Sequence, residues 1–152
     1  MTNIQLDFEE FLRLLEDESV RYLIVGGYAV AFHGFPRFTK DIDIFYAPQM
    51  ENIHRLKSAL LRFGFTSGAL KDSLFQPGNI IKMGNEPIRI DLLNEIDGLD
   101  FAEAFDTSVR GNYGKVSVTF IGFNALVKNK QATGRLQDLA DLEKLTGKSQ
   151  RF

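Results

Sequence analysis

The chain has 152 residues, a formal net charge of −2 and an apolar share of 44%. That length suits one domain, residues 1–152, burying roughly 70% of its unfolded surface, and the near-neutral charge excludes a general nucleic-acid coat. The absence of cysteine excludes disulfides and thiolate metal sites, and His33 and His54 alone are too few for a histidine zinc centre.

In chain order, "DFEEFLRLLE" (7–16) sets Phe8, Phe11, Leu12 and Leu15 at helical spacing, with Asp7 as the expected N-cap. "YLIVGG" (22–27) reads as a short buried strand ending in a glycine turn. "YAVAFHG" (28–34) follows as a two-turn helix stopped by Gly34 and Pro36. "DIDIFYA" (41–47) is a second strand, with Ile42, Ile44 and Tyr46 on one face and Asp41, Asp43 and Phe45 on the other. "MENIHRLKSALLRFG" (50–64) is an amphipathic helix closed by Gly64. Two alternating runs around Gly84-Asn85-Glu86-Pro87 predict a hairpin over 79–93, and residues 100–106 predict a short helix. A turn at Gly111-Asn112-Tyr113-Gly114 precedes a strand over 116–122, and a C-terminal helical segment starts near 122, with helices over about 122–130 and 136–146. The order predicts an α+β (mixed α/β) fold, a small mixed sheet flanked by helices. No apolar run approaches the roughly 18 residues of a membrane span. With no basic leader pattern at the N-terminus, a cytoplasmic protein is expected.

The chemistry-bearing residues are carboxylates. Asp41 and Asp43 share a strand face with α-carbons about 6.6 Å apart. Side chains so placed can hold a hard divalent cation such as magnesium, which takes one or two carboxylates and completes its shell with water and phosphate. In "IRIDLL" (88–93) the alternation puts Arg89, Asp91 and Leu93 on one face. A strand running beside 41–47 therefore brings Asp91 to the pair. Three acids around two cations suit in-line phosphoryl chemistry. The same residues also read as a helix cap, a turn, or a strand face and end turned to solvent. Gly26 and Gly27, between strand and helix, let a backbone approach an anion closely, and they serve equally as a tight turn. Neither a dinucleotide-binding G-x-G-x-x-G nor a P-loop is present.

Gly26-Gly27, a thirteen-residue spacer, Asp41-Ile42-Asp43 and the later strand acid Asp91 together resemble the nucleotidyltransferase superfamily related to DNA polymerase beta. The run through Gly26, Gly27, Ala29, His33, Gly34, Arg37, Thr39 and Asp41 to Ile44, with the closing "KNKQATGRLQDLADLEKL" (128–145), is similar to the small AbiEii-type, toxin-like members. The resemblance implies the nucleotidyltransferase fold. It also implies transfer of a nucleoside monophosphate from a nucleoside triphosphate to a hydroxyl, with magnesium or manganese. It assigns Asp41, Asp43 and Asp91 as metal ligands and catalytic acids, with Asp91 the candidate base. Gly26 and Gly27 would hold the triphosphate, with Arg37, Thr39 and Lys130 as further phosphate contacts.

Tyr28 departs from the small Ser or Thr that many active members carry after the glycines, and the large helical domain of the larger members is not expected after residue 146. The expected acceptor is RNA such as a tRNA end, a partner protein or a small molecule, with a toxin–antitoxin setting implied by the likeness. The alternative is a non-catalytic nucleotide-binding or antitoxin-like module. Asp138 and Asp141, on one helix face, read as structural ion-pair partners of Arg135 or Arg37, and His33 as a cap or core polar group.

Overall fold

The computed structural model describes residues 5–36, 39–84 and 88–147. The elements are α1 (Leu6–Asp17), β1 (Tyr22–Val25), α2 (Gly26–Phe32), β2 (Asp41–Tyr46), α3 (Met50–Phe63), β3 (Ile80–Met83), β4 (Arg89–Leu93), α4 (Phe101–Asp106), β5 (Val109–Tyr113), β6 (Val116–Phe120), α5 (Phe123–Thr133) and α6 (Leu136–Thr146). Two short 3-10 turns, Ser67–Ala69 and Asp72–Phe75, join α3 to β3. No described helix is long and apolar enough to cross a membrane.

Six strands form one mixed sheet in the order β3-β4-β2-β1-β6-β5. The β3–β4, β1–β2 and β5–β6 pairs are antiparallel, whereas β2–β4 and β1–β6 are parallel. Alternation divides the core between the two sheet faces. Ile42, Ile44 and Tyr46 of β2, with Ile90 and Leu92 of β4, pack with Phe8, Phe11 and Leu15 of α1 and Leu56 and Leu60 of α3. Leu23, Val25 and Phe45 join a second cluster with Phe101 of α4, Ile121, Leu126 of α5 and Leu145 of α6. One face is thus sealed by α1 and α3. The other carries the acids and is covered by the C-terminal helices over only part of its width.

Three expectations change. The N-cap of α1 is Gln5, and Asp7 lies in the first turn, where it favours the positive end of the helix dipole. Helix α2 starts at Gly26 itself, so the glycines form its first turn. Residues Gly111–Tyr113 are strand, not turn: β5 pairs with β6 from Val109↔Phe120 to Tyr113↔Val116. Gly111 is glycine because a Cβ there would strike the Phe32 ring, which stacks on Phe120 at 4.0 Å between centroids. The hairpin over 79–93 forms as β3–β4, but its turn residues 85–87 lie outside the described residues.

Candidate active site

The parallel pairing of β2 with β4 decides the site. In register, Asp43 faces Asp91, Asp41 faces Arg89, and Phe45 faces Leu93. With Ile42, Ile44, Ile90 and Leu92 committed to the α1–α3 core, period-two alternation turns Asp41, Asp43, Arg89 and Asp91 to the opposite face.

Arg89 forks across this group. Its Nε donates to Asp91 Oδ1 at 2.8 Å and its Nη2 to Oδ2 at 3.2 Å, while Nη2 also lies 3.3 Å from Asp41 Oδ2. Asp41 Oδ1 is buried and lacks a hydrogen-bond partner among the described residues. Asp43 sits where its charge is disfavoured. Burial above all, then the charges of Asp91 and Asp41, push its pKa up to about 6, with Lys130 and Arg135 partly offsetting them. Lys82 of β3, exposed and paired in register with Asp91, brings another cation to this row. The alternation that turns Asp91 to this face also puts Arg89 there; the contribution of Lys82 depends on strand pairing.

The glycine turn meets the acids directly. Gly26 has φ +69°, and a Cβ there would collide with the Asp43 carboxylate. Glycine at 26 therefore has a steric cause as well as a conformational one. Tyr28 turns away from α2's start into the core, edge-on to Phe8 and Tyr113. Burial, then Tyr113 and Asp41, raise its phenol pKa. Thr39 Oγ1 donates to the Asp41 backbone carbonyl at 3.2 Å, fixing the entry to β2. Arg37 lies outside the described residues.

Lys130 is 4% exposed, with its Nζ 2.6 Å from Asp138 Oδ1 and 3.1 Å from Asp141 Oδ2. Thr133 Oγ1 and Arg135 Nε each donate to Asp138 Oδ2 at 2.7 Å, and Gln137 Nε2 donates to Asp141 Oδ1 at 3.1 Å. Burial alone would raise the Asp138 pKa, but the hydrogen bonds from Lys130, Thr133 and Arg135 outweigh it and hold the pKa low. The expected structural partnership of Arg135 with Asp138 is present, with Lys130 at its centre. His33 pairs through Nε2 with the Ile121 carbonyl at 2.8 Å, tying the end of α2 to the exit of β6.

Among the described residues, no three acid or imidazole groups are gathered into a preformed metal cage. The donor set nevertheless fits a hard divalent cation. It consists of carboxylate oxygens only, one of them buried without a partner among the described residues, and it is balanced by the Arg89 guanidinium.

In overall structure the chain is similar to nucleotidyltransferases. A nucleotidyltransferase structure from Thermotoga maritima, described as putative, aligns at TM-score 0.64 and 15% identity over 95% of this chain and 96% of that one. A lincomycin-bound lincosamide antibiotic adenylyltransferase aligns at 0.59 and 17% over 95% and 98%. An antigenic nucleotidyltransferase-like protein from Paracoccidioides brasiliensis aligns at 0.54 and 14% over 93% and 75%. These likenesses establish a nucleotidyltransferase fold. A family model described as nucleotidyl transferase of unknown function (DUF2204) matches residues 5–151, so the chain belongs to that family. No curated protein matches it in sequence.

Proposed function

We propose that this chain is a minimal single-domain enzyme that moves a nucleoside monophosphate from a nucleoside triphosphate to a hydroxyl acceptor. The observation that carries the reading is the β2–β4 register, which sets Asp43 opposite Asp91 with Asp41 on the same face. Asp41, Asp43 and Asp91 would hold magnesium or manganese. A divalent ion so bound neutralises phosphate charge and makes a nearby hydroxyl more acidic. The acceptor oxygen forms a bond to the α-phosphorus and the bond to the departing pyrophosphate breaks. The hydroxyl proton passes to a carboxylate, for which Asp91 is the candidate because the Arg89 fork holds it in a fixed orientation on the acid-bearing face. Backbone at Gly26 and Gly27, with Thr39 and Arg37, would meet the triphosphate. Lys130, buried between Asp138 and Asp141, would contribute charge at a distance rather than a direct phosphate contact. Kinship with AbiEii-type toxin-like members, and the toxin–antitoxin setting that goes with it, rests on the run from Gly26 to Ile44 and the closing segment from Lys128.

Calorimetric titration of the four ribonucleoside triphosphates with magnesium tests the proposal on wild type, Asp41→Asn and Asp43→Asn. Metal-dependent binding in wild type, weakened at least about tenfold in both variants, is expected. A wild type that binds no triphosphate with either metal refutes it. A second reading, a non-catalytic nucleotide-binding module, draws on the Arg89 fork across the acids and the buried Tyr28. It predicts triphosphate binding that persists in chelator.

A further inference from the structure

The acid-bearing face continues into a cavity of about 570 Å³. Its floor includes Phe45 and Leu93, which pair in register two residues beyond Asp43 and Asp91. The cavity therefore begins about 7 Å along both strands from the carboxylates. Its size is that of a small-molecule site, and aromatic and aliphatic groups such as Phe45, Leu99 and Phe101 line it.

Its charged lining has one sign. Glu95, Asp97 and Asp100 border the cavity, and among the described residues no lysine, arginine or histidine does. Asp100 is engaged as the N-cap of α4, accepting from the Glu103 backbone N–H at 2.8 Å. Glu95 and Asp97 are exposed and have no ion pair among the described residues.

The walls are held in place. Asn94, 4% exposed, donates to the Gln76 carbonyl at 2.9 Å and to the Tyr46 hydroxyl at 3.1 Å. It accepts from Gly78 N–H at 2.9 Å. On the other side, Asn129 of α5 donates to the Asp97 carbonyl at 2.9 Å. The two walls are therefore anchored to β2 and α5, and the cavity is formed before any ligand arrives.

We infer that this cavity is the acceptor site, and that it takes a compact, hydroxyl-bearing amine with an apolar ring or chain. The apolar part lies over Phe45 and Leu93, the ammonium meets Glu95 and Asp97, and a hydroxyl reaches back toward Asp91. A polyanionic acceptor such as RNA meets like charge at the same carboxylates. The inference rests on the proposed nucleotidyl transfer for its purpose, but it concerns a binding site that is measurable without nucleotide or metal.

Three probes share the phenyl β-glucopyranoside frame and each charged one changes a single substituent: phenyl β-glucosaminide (cationic, 2-ammonium), phenyl β-glucoside (neutral) and phenyl β-glucuronide (anionic, 6-carboxylate). Affinities are measured by calorimetry in chelator, and the site is located from the methyl signals of Leu93 and Ile96. The cationic probe is expected to bind at least about tenfold more tightly than the neutral one and to move those signals, with the anionic probe weakest. Glu95→Gln/Asp97→Asn, two exposed changes that remove the charges proposed to meet the ammonium, is expected to erase the preference for the cation while the neutral probe still binds. Equal binding of all three probes, no binding of the cationic probe, or tighter binding of a CCA-ended RNA that shifts the same methyl signals overturns the inference. Failure here leaves nucleotide binding as tested through Asp43→Asn untouched, and failure there leaves the cavity's charge preference standing as a separate result.

Discussion

At the scale of single side chains, Asp43 occupies a position that disfavours its charge. In the metal-free protein its pKa is about 6 against an ordinary 3.8, chiefly through burial and then through Asp91 and Asp41. The folded state holds that proton more tightly than the unfolded chain does. This contribution to stability is therefore complete below pH 3.8 and is lost as pH rises through 6. The gap, 6 minus 3.8, corresponds to on the order of 3 kcal/mol. Asp43→Asn keeps the shape and removes the charge. In chelator at pH 7.5 the variant is expected to be more stable than wild type by about 2–3 kcal/mol in urea unfolding, with the advantage gone below pH 4. An advantage that grows toward acid would contradict the assignment. Gly26 shows the complementary constraint: its missing Cβ is the room the Asp43 carboxylate occupies.

At the scale of elements, α5 and α6 are joined by a buried charge cluster rather than by apolar contact alone. Lys130 sits between two acids whose side chains are 3% and 0% exposed. Lys130→Met removes the buried cation that bridges Asp138 and Asp141, a loss of about 3–5 kcal/mol, read from the urea midpoint at pH 7. Because the Asp138 pKa is depressed, the cluster's contribution is present above the ordinary carboxylate value and is lost as pH falls below that value through the group's own lower pKa. If Lys130 served only as a phosphate contact, the midpoint would stay put and nucleotide affinity alone would fall. The helices were legible from their period, and Gly134 closes α5 in the left-handed conformation with Gly147 doing so for α6. Strand β5 was not legible. It lies at the sheet edge with Val109, Arg110 and Asn112 exposed, so it has no apolar alternation, and its glycine answers to the Phe32 ring rather than to a turn. The cavity was hidden for a related reason, since its walls come from connecting segments fixed by Asn94 and Asn129, whose bonds span chain distances no periodicity encodes.

Across the whole molecule, the acids meet only through long-range pairing. Asp43 and Asp91 belong to strands separated by α3, two 3-10 turns and β3, and they become neighbours when β2 and β4 align in parallel. The acids themselves could be read from the sequence because strand alternation fixes their face; what it could not supply was Arg89's reach from Asp91 to Asp41, which requires both strands in register. Such a site exists only in the assembled sheet, so anything bound there stabilises the whole fold rather than a local segment. Magnesium and a triphosphate at about 100 times the dissociation constant are expected to add about 2.7 kcal/mol. For a chain of this size that raises Tm by about 5–10 °C. The shift should vanish in chelator and in Asp43→Asn, even though the variant starts from a higher Tm than wild type at pH 7.5. That crossing is the discriminating outcome: a carboxylate kept for fold stability alone would give a variant that melts earlier, whereas one kept for a cation gives a variant that melts later and no longer responds to ligand.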